Sequence, residues 1–462
     1  MNRYVASTLL PVKQSVAFAY HERPGALQRL IPPWQQVTIE SSDGSLRSGS
    51  RVVMKLHFGP ASVRWVAEHC NYDPPNLFAD RQVSGPFDSW LHRHEFHPAG
   101  DDTCRLTDRI DYEVPGGSVG QFFASGKARC ELERMFAYRH RITRDDLELV
   151  RRYPTLSLTV AVSGSSGLVG QKLCALLTLL GHQVIRLERS AAKAQDDPNA
   201  LAPWSSRADA EKLSQADAVV HLAGKPIADQ RWTDEVKRQI RDSRVELTGQ
   251  LAASLAALET KPRVLVCASA VGIYGDRDDE VLHEDSHRGE SFLSDVAAEW
   301  EHACQPAMEA GIRVANARLG IVLDPSSGAL NKMLTPAKFG GGALGDGKQW
   351  WSWVAADDVV GAIYHAICTE PLRGPFNVTS PNPVLAGQLA KTLGAVIGRP
   401  ALVPAPAFAL RLALGEMADE LLLASARAVP DKLQRTGYAF RFSEVDSALR
   451  YCLGKDRLES TE

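Results

Sequence analysis

Leu158-Thr-Val-Ala-Val-Ser163-Gly164-Ser165-Ser166-Gly167-Leu168-Val169-Gly170 decides the fold. A short apolar run leads into a turn with glycine at every third position. Apolar residues then recur at helical spacing, so that Val169, Leu173, Leu176, Leu177 and Leu180 share one face of a helix predicted over 168–180. A strand, a glycine turn and a helix in that order form the phosphate-binding corner of a dinucleotide fold. Backbone without side chains lets a diphosphate approach, and the opening helix offers it free N–H groups and a positive dipole end. Gly164, Ser165, Ser166, Gly167, Leu168, Val169 and Gly170 are therefore the expected cofactor contacts. A tight turn with no ligand is the alternative.

Further short apolar segments follow at Gln183–Leu187, Ala218–Leu222, Arg263–Cys267 and Ile312–Ala317, separated by longer helical stretches. That rhythm predicts a doubly wound parallel α/β sheet of Rossmann type. Where the second strand ends, Glu188-Arg189-Ser190 should meet the adenosine ribose. The signals there conflict: Glu188 suits a free 2′-hydroxyl, whereas Arg189 and Ser190 suit a 2′-phosphate. The cofactor is expected to be NADP or NAD, with NADP slightly favoured. At the third strand's end, Leu222, Ala223 and Gly224 should line the dinucleotide, and His221 reads more readily as a packed residue than as a catalyst.

Upstream, residues 36–114 alternate apolar and polar side chains between turn signals such as Asp43-Gly44 and Pro74-Pro75, the texture of an antiparallel sheet. That texture ends at Arg151–Pro154. Downstream of Pro381–Pro383 lies an amphipathic stretch, Phe408–Leu423, and a closing segment at Pro430–Phe442. Three domains are expected: 1–152, an α+β ligand-binding domain; 156–380, the dinucleotide-binding domain; and 381–455, small and mostly helical.

Period-two spacing places Trp90, His92, His94 and Phe96 on one face of a strand, and Cys104, Leu106, Asp108, Ile110, Tyr112 and Val114 on one face of another. Asp108 among apolar neighbours needs a partner. Either Trp90, His92, His94 and Asp108 line a cavity and orient a polar group on an otherwise apolar ligand, or the polar members satisfy one another. His92 and His94 also have the spacing of metal ligands, but a third and fourth ligand are not visible, so no metal is expected.

The 462 residues carry a net charge of −3 with 44% apolar and 23% charged side chains. Without a broad positive field, nucleic acid and anionic membranes are poor partners. No segment reads as a signal peptide or membrane span. Eight scattered cysteines suit a reducing cytoplasm. A small-molecule substrate is expected; oligomeric state is not legible.

From 158 to about 449 the chain resembles the extended short-chain dehydrogenase/reductase family, in its atypical nucleoside-diphosphate-sugar epimerase-like branch. The matching stretches are Gly164–Gly170, His221-Leu-Ala-Gly-Lys-Pro-Ile-Ala228, Arg231-Trp232, Ser269-Ala-Val-Gly-Ile-Tyr-Gly275, Arg318-Leu-Gly-Ile-Val-Leu323 and Gly345-Asp-Gly-Lys-Gln-Trp-Trp-Ser-Trp353. Gly415-Glu-Met417, Pro430-Asp-Lys-Leu433 and Gly437-Tyr-Ala-Phe440 resemble that branch's C-terminal domain. The resemblance implies an NAD(P)-dependent oxidoreductase or epimerase.

It breaks at the family's Tyr-x-x-x-Lys pair, whose place looks like Phe292-Leu-Ser-Asp-Val296. Neither Phe292 nor Val296 can exchange a proton. Ser269 matches the neighbourhood of the family's catalytic serine, with Ala270 an equal alignment. Tyr274, Asp276 and Asp295 are substitute proton carriers, with packing, turn and solvated roles as their alternatives. Trp350, Trp351 and Trp353 either close over a ligand or anchor the C-terminal domain. The missing pair also raises a second class of function, a non-catalytic NAD(P)-binding redox sensor or lipid-like ligand carrier.

Residues 1 to about 150 resemble the START-like, polyketide-cyclase (SRPBCC) superfamily of helix-grip folds, through Gly85-Pro-Phe-Asp-Ser-Trp-Leu-His-Arg-His-Glu-Phe96, Asp108–Pro115 and a helix-like stretch Lys127–Arg141.

Overall fold

The computed structural model describes residues 1–154 and 157–456, the side chains of 117–125 excepted. The chain forms two compact units, one of 1–154 with 178–181 and 450–456, the other of 157–177 with 182–449.

The first unit is built on a seven-stranded antiparallel sheet: β1 (Asn2–Leu10), β2 (Gln36–Ser42), β3 (Arg51–Phe58), β4 (Ala61–Asp73), β5 (Leu77–Ser84), β6 (Ser89–Gly100) and β7 (Thr103–Glu113), in the order β1-β7-β6-β5-β4-β3-β2. Helices α1 (Gln14–Glu22), α2 (Ala26–Leu30) and α3 (Gly117–Arg152) complete the helix grip. The alternation read from β6 and β7 is the buried face. Cys104, Leu106, Asp108, Ile110, Tyr112 and Val114 are all at most 4% exposed. Leu132 and Phe136 of α3 pack there against Tyr4, Trp90, Ile110 and Tyr112, while Ala17, Phe18 and Tyr20 of α1 cluster with Phe78, Phe96 and Leu106. Helix α3 runs for 36 residues, far beyond the helical stretch read at Lys127–Arg141.

The second unit carries a seven-stranded parallel sheet: β8 (Thr159–Ser163), β9 (Gln183–Leu187), β10 (Ala200–Leu201), β11 (Ala218–His221), β12 (Val264–Ala270), β13 (Arg313–Leu319) and β14 (Gly374–Val378). Their order, β10-β9-β8-β11-β12-β13-β14, reverses direction at β8, which places the ends of β8 and β11 side by side at the switch point where ligands bind such sheets. Helices α4 (Leu168–Leu179), α5 (Asp234–Ala256), α6 (Phe292–His302) and α7 (Ala356–Cys368) cover it. Leu173, Leu176 and Leu177 are fully buried, as the helical spacing requires; Val169 and Leu180 are half-buried.

The closing region is mostly helical, with helices at Ala386–Ile397, Ala407–Leu414, Asp431–Arg435 and Val445–Cys452. It does not form a third compact unit: through residue 449 it packs within the second. The stretch read as one amphipathic segment, Phe408–Leu423, breaks at Gly415, whose φ of 64° ends the first helix.

Candidate functional site

Each glycine of the turn after β8 has its own reason to lack a side chain. Gly164 has φ 67°, and a Cβ there would stand 2.9 Å from Ala223 N and Leu222 C, so it closes the turn against the loop after β11. A Cβ on Gly170 would overlap Gly164 O, so α4 can start this close to its own turn only with glycine. Gly167 is different: its φ is ordinary, and a Cβ would meet nothing nearer than Gly164 O at 3.4 Å. The bare backbone at Gly167 leaves room at the start of α4, a cradle that a side chain would fill. Gly167 and Ser166 are exposed, and Ser165 is buried beneath them.

The neighbouring loop is fixed by a hydroxyl. Ser163 Oγ donates to His221 Nδ1 (2.7 Å) and accepts from Leu222 N (3.1 Å) and Ala223 N (3.3 Å). His221 is fully buried, and burial lowers its pKa to about 4. It is a neutral packed residue that ties two strand ends, as its position suggested. Beside Gly224, Arg244 of α5 donates to Lys225 O and Ile240 O and stacks over Trp300 at 5.1 Å. Among the described residues no carboxylate pairs with it, and burial lowers its pKa to about 10. Sequence reasoning missed Arg244, because one arginine on an amphipathic helix carries no signal of its own.

At the end of β9, Glu188 is half-buried with its amide donating to Leu201 O. Arg189 and Ser190 are exposed, and Arg189 has no ion-pair partner among the described residues.

Ser269 and Tyr274 are brought together through two residues the sequence did not single out for chemistry. Ser269 Oγ donates to Glu301 Oε1 (2.7 Å); Arg318 grips Glu301 with two bonds, Nε to Oε1 at 2.8 Å and NH2 to Oε2 at 2.9 Å. Arg318 NH1 donates to Tyr274 OH (2.9 Å), which in turn donates to Asn377 Oδ1 (2.8 Å). Tyr274 is fully buried, and that burial raises its pKa. Its proton and lone pair are both engaged.

Phe292 and Val296 lie on the first turns of α6. The Phe292 ring meets Trp232 edge-on at 5.2 Å under Lys237 Nζ at 4.7 Å, and Val296 is buried. The helix's first amides are occupied: Phe292 N and Leu293 N donate to Glu420 at 3.1 and 2.8 Å. Asp276 accepts from Ser425 N in a turn, and exposed Asp295 pairs with Arg288. Trp350 donates to Asp279, Trp353 donates to Asn382 O, and Trp351 and Trp353 are buried. The last of these bonds ties the tryptophan run to the start of the C-terminal region.

In the first unit, His92, His94 and Asp108 do meet. Asp108 accepts from His92 Nε2 (2.9 Å) and from His140 Nε2 (2.7 Å) of α3, while His94 Nδ1 lies 2.7 Å from Asp108 Oδ1 without the alignment of a hydrogen bond. Burial opposes ionisation of Asp108, yet the three imidazoles hold its pKa well below the usual carboxylate range. Burial, then the positive neighbour His92, push His94 down to about 3. For His92, burial is outweighed by Asp108 and Asp80, and its pKa rises. Of the polar members read either as lining a cavity or as satisfying one another, His92 and Asp108 are bonded together, and His94 lies beside them without a hydrogen bond from Nδ1. Trp90 packs on Trp65 at 5.1 Å.

Residues 160–378 match the NAD dependent epimerase/dehydratase family, 10–139 match polyketide cyclase / dehydrase and lipid transport, and 405–452 match a domain of unknown function, DUF1731. The epimerase family protein Mb2239 of Mycobacterium bovis is 40% identical over 293 residues, covering 63% of this chain and 96% of that protein. The chain belongs to the epimerase family. A chloroplastic epimerase-family homolog of SDR39U1 from Arabidopsis thaliana is 37% identical, covering 63% of this chain and 86% of the other. Among solved structures, a nucleoside-diphosphate sugar epimerase from Corynebacterium glutamicum is 33% identical with a TM-score of 0.79, covering 99% of this chain and 91% of its own. The human epimerase family protein SDR39U1, solved with NADPH, is 28% identical with a TM-score of 0.59, covering 64% of this chain and 99% of its own. The SRPBCC-like and epimerase-family parts thus recur together in the Corynebacterium protein.

Proposed function

We propose that this epimerase-family chain binds a nicotinamide dinucleotide along Gly164–Gly170 and Leu222–Gly224, prefers its 2′-phosphorylated form, and acts on a small hydroxyl- or carbonyl-bearing metabolite. The observation that carries the reading is the contrast among the three glycines: Gly164 and Gly170 are closed by backbone, while Gly167, at a helix start, has no neighbour nearer than 3.4 Å to where a side chain would begin. The preference for NADP rests on exposed Arg189, which has no ion-pair partner among the described residues, and on Ser190 beside it, a cation and a hydroxyl suited to a phosphate. The human relative solved with NADPH agrees with it. Arg244, half-buried beside Gly224, adds a second cation with no counter-ion among the described residues.

When bound, the nicotinamide supplies hydride exchange. Ser269, at the carboxyl end of a central strand, orients the substrate oxygen. Glu301 fixes the direction of that hydroxyl, and Arg318 fixes Glu301. Tyr274, committed between Arg318 and Asn377, is a positioning residue in this scheme. The eight free thiols fit a reducing cytoplasm, and among the described residues no helix is long and apolar enough to cross a membrane.

One observation favours a second reading, a redox sensor without turnover: Phe292 and Val296 are packing residues where the family's proton-exchanging pair would stand. Titration with NADPH and NADH by nicotinamide fluorescence, repeated on Arg189→Ala, tests the cofactor. NADPH affinity should fall more than about tenfold, some 1.4 kcal/mol, with NADH little changed. Equal affinities before and after would remove Arg189 from the site. Turnover across aldehydes, ketones and sugar nucleotides then separates enzyme from sensor, which binds cofactor but oxidises and reduces nothing.

A further inference from the structure

The first unit contains a cluster of histidines and aspartates on one face of its sheet. Strand register assembles it. His69 of β4 stands opposite Asp80 of β5, Asp80 stands opposite His92 of β6, and His94 stands opposite Asp108 of β7. Directly paired residues share a face, and so do residues two apart on one strand. All five side chains therefore issue from the same side of the sheet, the side on which His140 of α3 meets Asp108.

Within this group each of the two imidazoles of β6 is placed between two carboxylates. His92 turns Nδ1 toward Asp80 Oδ2 (3.5 Å) and Nε2 toward Asp108 Oδ1 (2.9 Å). His94 turns Nε2 toward Asp80 Oδ2 (3.9 Å) and Nδ1 toward Asp108 Oδ1 (2.7 Å). One oxygen and two nitrogens thus converge within 4.8 Å of one another, while the far nitrogen of His92 is hydrogen-bonded to Asp108 and that of His94 lies beside the same carboxylate. An imidazole that ligates a metal characteristically presents its other nitrogen to a carboxylate, which fixes the ring and raises its basicity.

We infer that Asp80 Oδ2, His92 Nδ1 and His94 Nε2 bind a divalent transition-metal ion, with Asp108 orienting both imidazoles from behind. A tetrahedral ion with bonds of about 2.0–2.1 Å spaces its donors by roughly 3.4 Å. The 3.5 and 3.9 Å separations need only small side-chain rotations to reach that. Two imidazoles and one carboxylate suit zinc or iron(II), and three protein ligands leave a position for water or a ligand oxygen. His69, opposite Asp80 and with Nδ1 buried and without a hydrogen-bond partner, ends the row outside the converging trio. Asp80 and Asp108 are also within electrostatic reach of the Arg139 guanidinium. Phe78, stacked on His94 at 4.1 Å, and Phe96 give the site an apolar wall.

The test is titration of the full-length, tag-free, chelator-treated protein with Co2+ and then Zn2+. One equivalent of Co2+ should give the visible absorption of a four- or five-coordinate ion, and Zn2+ should displace it. Asp80→Asn and His94→Ala should abolish the spectrum. Asp108→Asn should weaken binding by roughly 10- to 100-fold, as outer-sphere partners do. His97→Ala, an exposed histidine of the same strand, should change nothing. Paramagnetic shifts of imidazole signals in the unaltered protein read the site even where a variant does not fold. No stoichiometric Co2+ spectrum, no shifted imidazole signals, or an undiminished spectrum in folded His94→Ala protein would overturn the assignment.

Discussion

Ser163 and His221 are joined across the switch point of the parallel sheet by a 2.7 Å hydrogen bond, at the two strand ends that flank the glycine turn. The same serine oxygen accepts two amides of the following loop, so one hydroxyl orders both sides of the cleft proposed to hold the dinucleotide. Ser163→Ala leaves a ring nitrogen and two amides without that partner. Each buried orphan costs about 1–3 kcal/mol, and the amides can partly recover through water. Urea denaturation should show a loss of about 2–3 kcal/mol, together with weaker NADPH binding. Unchanged stability would mean that the loop is held by other contacts.

His221 also sets a pH dependence. Its folded pKa is about 4 and its unfolded value about 6.5, so between those values the unfolded chain binds the extra proton. The stability it contributes is complete above pH 6.5 and is lost as pH falls toward 4, on the order of 3 kcal/mol by linkage. Unfolding curves of the parent and of His221→Gln, measured from pH 7 to pH 4, should differ by a margin that shifts against the parent as pH falls. A constant margin would show that His221 does not titrate in that window.

What the sequence disclosed follows the range of the interactions involved. The strand, turn and helix at 158–180 were legible because each signal lies within a few residues of the next. The separate duties of Gly164 and Gly170 were not, since one depends on Leu222 and Ala223 sixty residues away. Strand β14 escaped notice because Gly374-Pro375 reads as a turn; at a sheet edge a proline is tolerated, its missing N–H facing outward. Period two gave the faces of β6 and β7 correctly, but Asp80, His69 and His140 reach that face through register and helix packing, which spacing along one strand cannot show. The Glu301–Arg318 pair likewise joins a helix to a strand, and nothing local marks either residue.

That pair carries its own prediction. Arg318 and Glu301 have side-chain exposures of 8% and 13%, and the guanidinium also serves Tyr274 OH and Glu284 O. Removing one charge strands the other in a poorly solvated place. Arg318→Met, which keeps the stem, should cost about 3–5 kcal/mol in denaturant unfolding. The double variant Arg318→Met/Glu301→Gln should lose less than the two single losses added together, because it leaves no lone charge. Strict additivity would refute the coupling.

The sharpest contrast lies inside the glycine turn. A methyl on Gly170 overlaps a backbone carbonyl that cannot move aside without shifting the start of α4, so Gly170→Ala should lose at least about 2 kcal/mol of stability. A methyl on Gly167 meets only Gly164 O, at 3.4 Å, and at an ordinary φ, so Gly167→Ala should stay within about 1 kcal/mol of the parent or gain slightly, since alanine has less freedom to lose on folding. For nucleotide affinity the order inverts. The Gly167 methyl occupies the place a diphosphate needs against the amides at the start of α4, so NADPH binding should fall by more than about tenfold, and further in Gly167→Val. Thermal unfolding and fluorescence titration on the same samples read both effects. A stable Gly167→Val protein that still binds NADPH at parental affinity would show that the diphosphate does not lie on this turn.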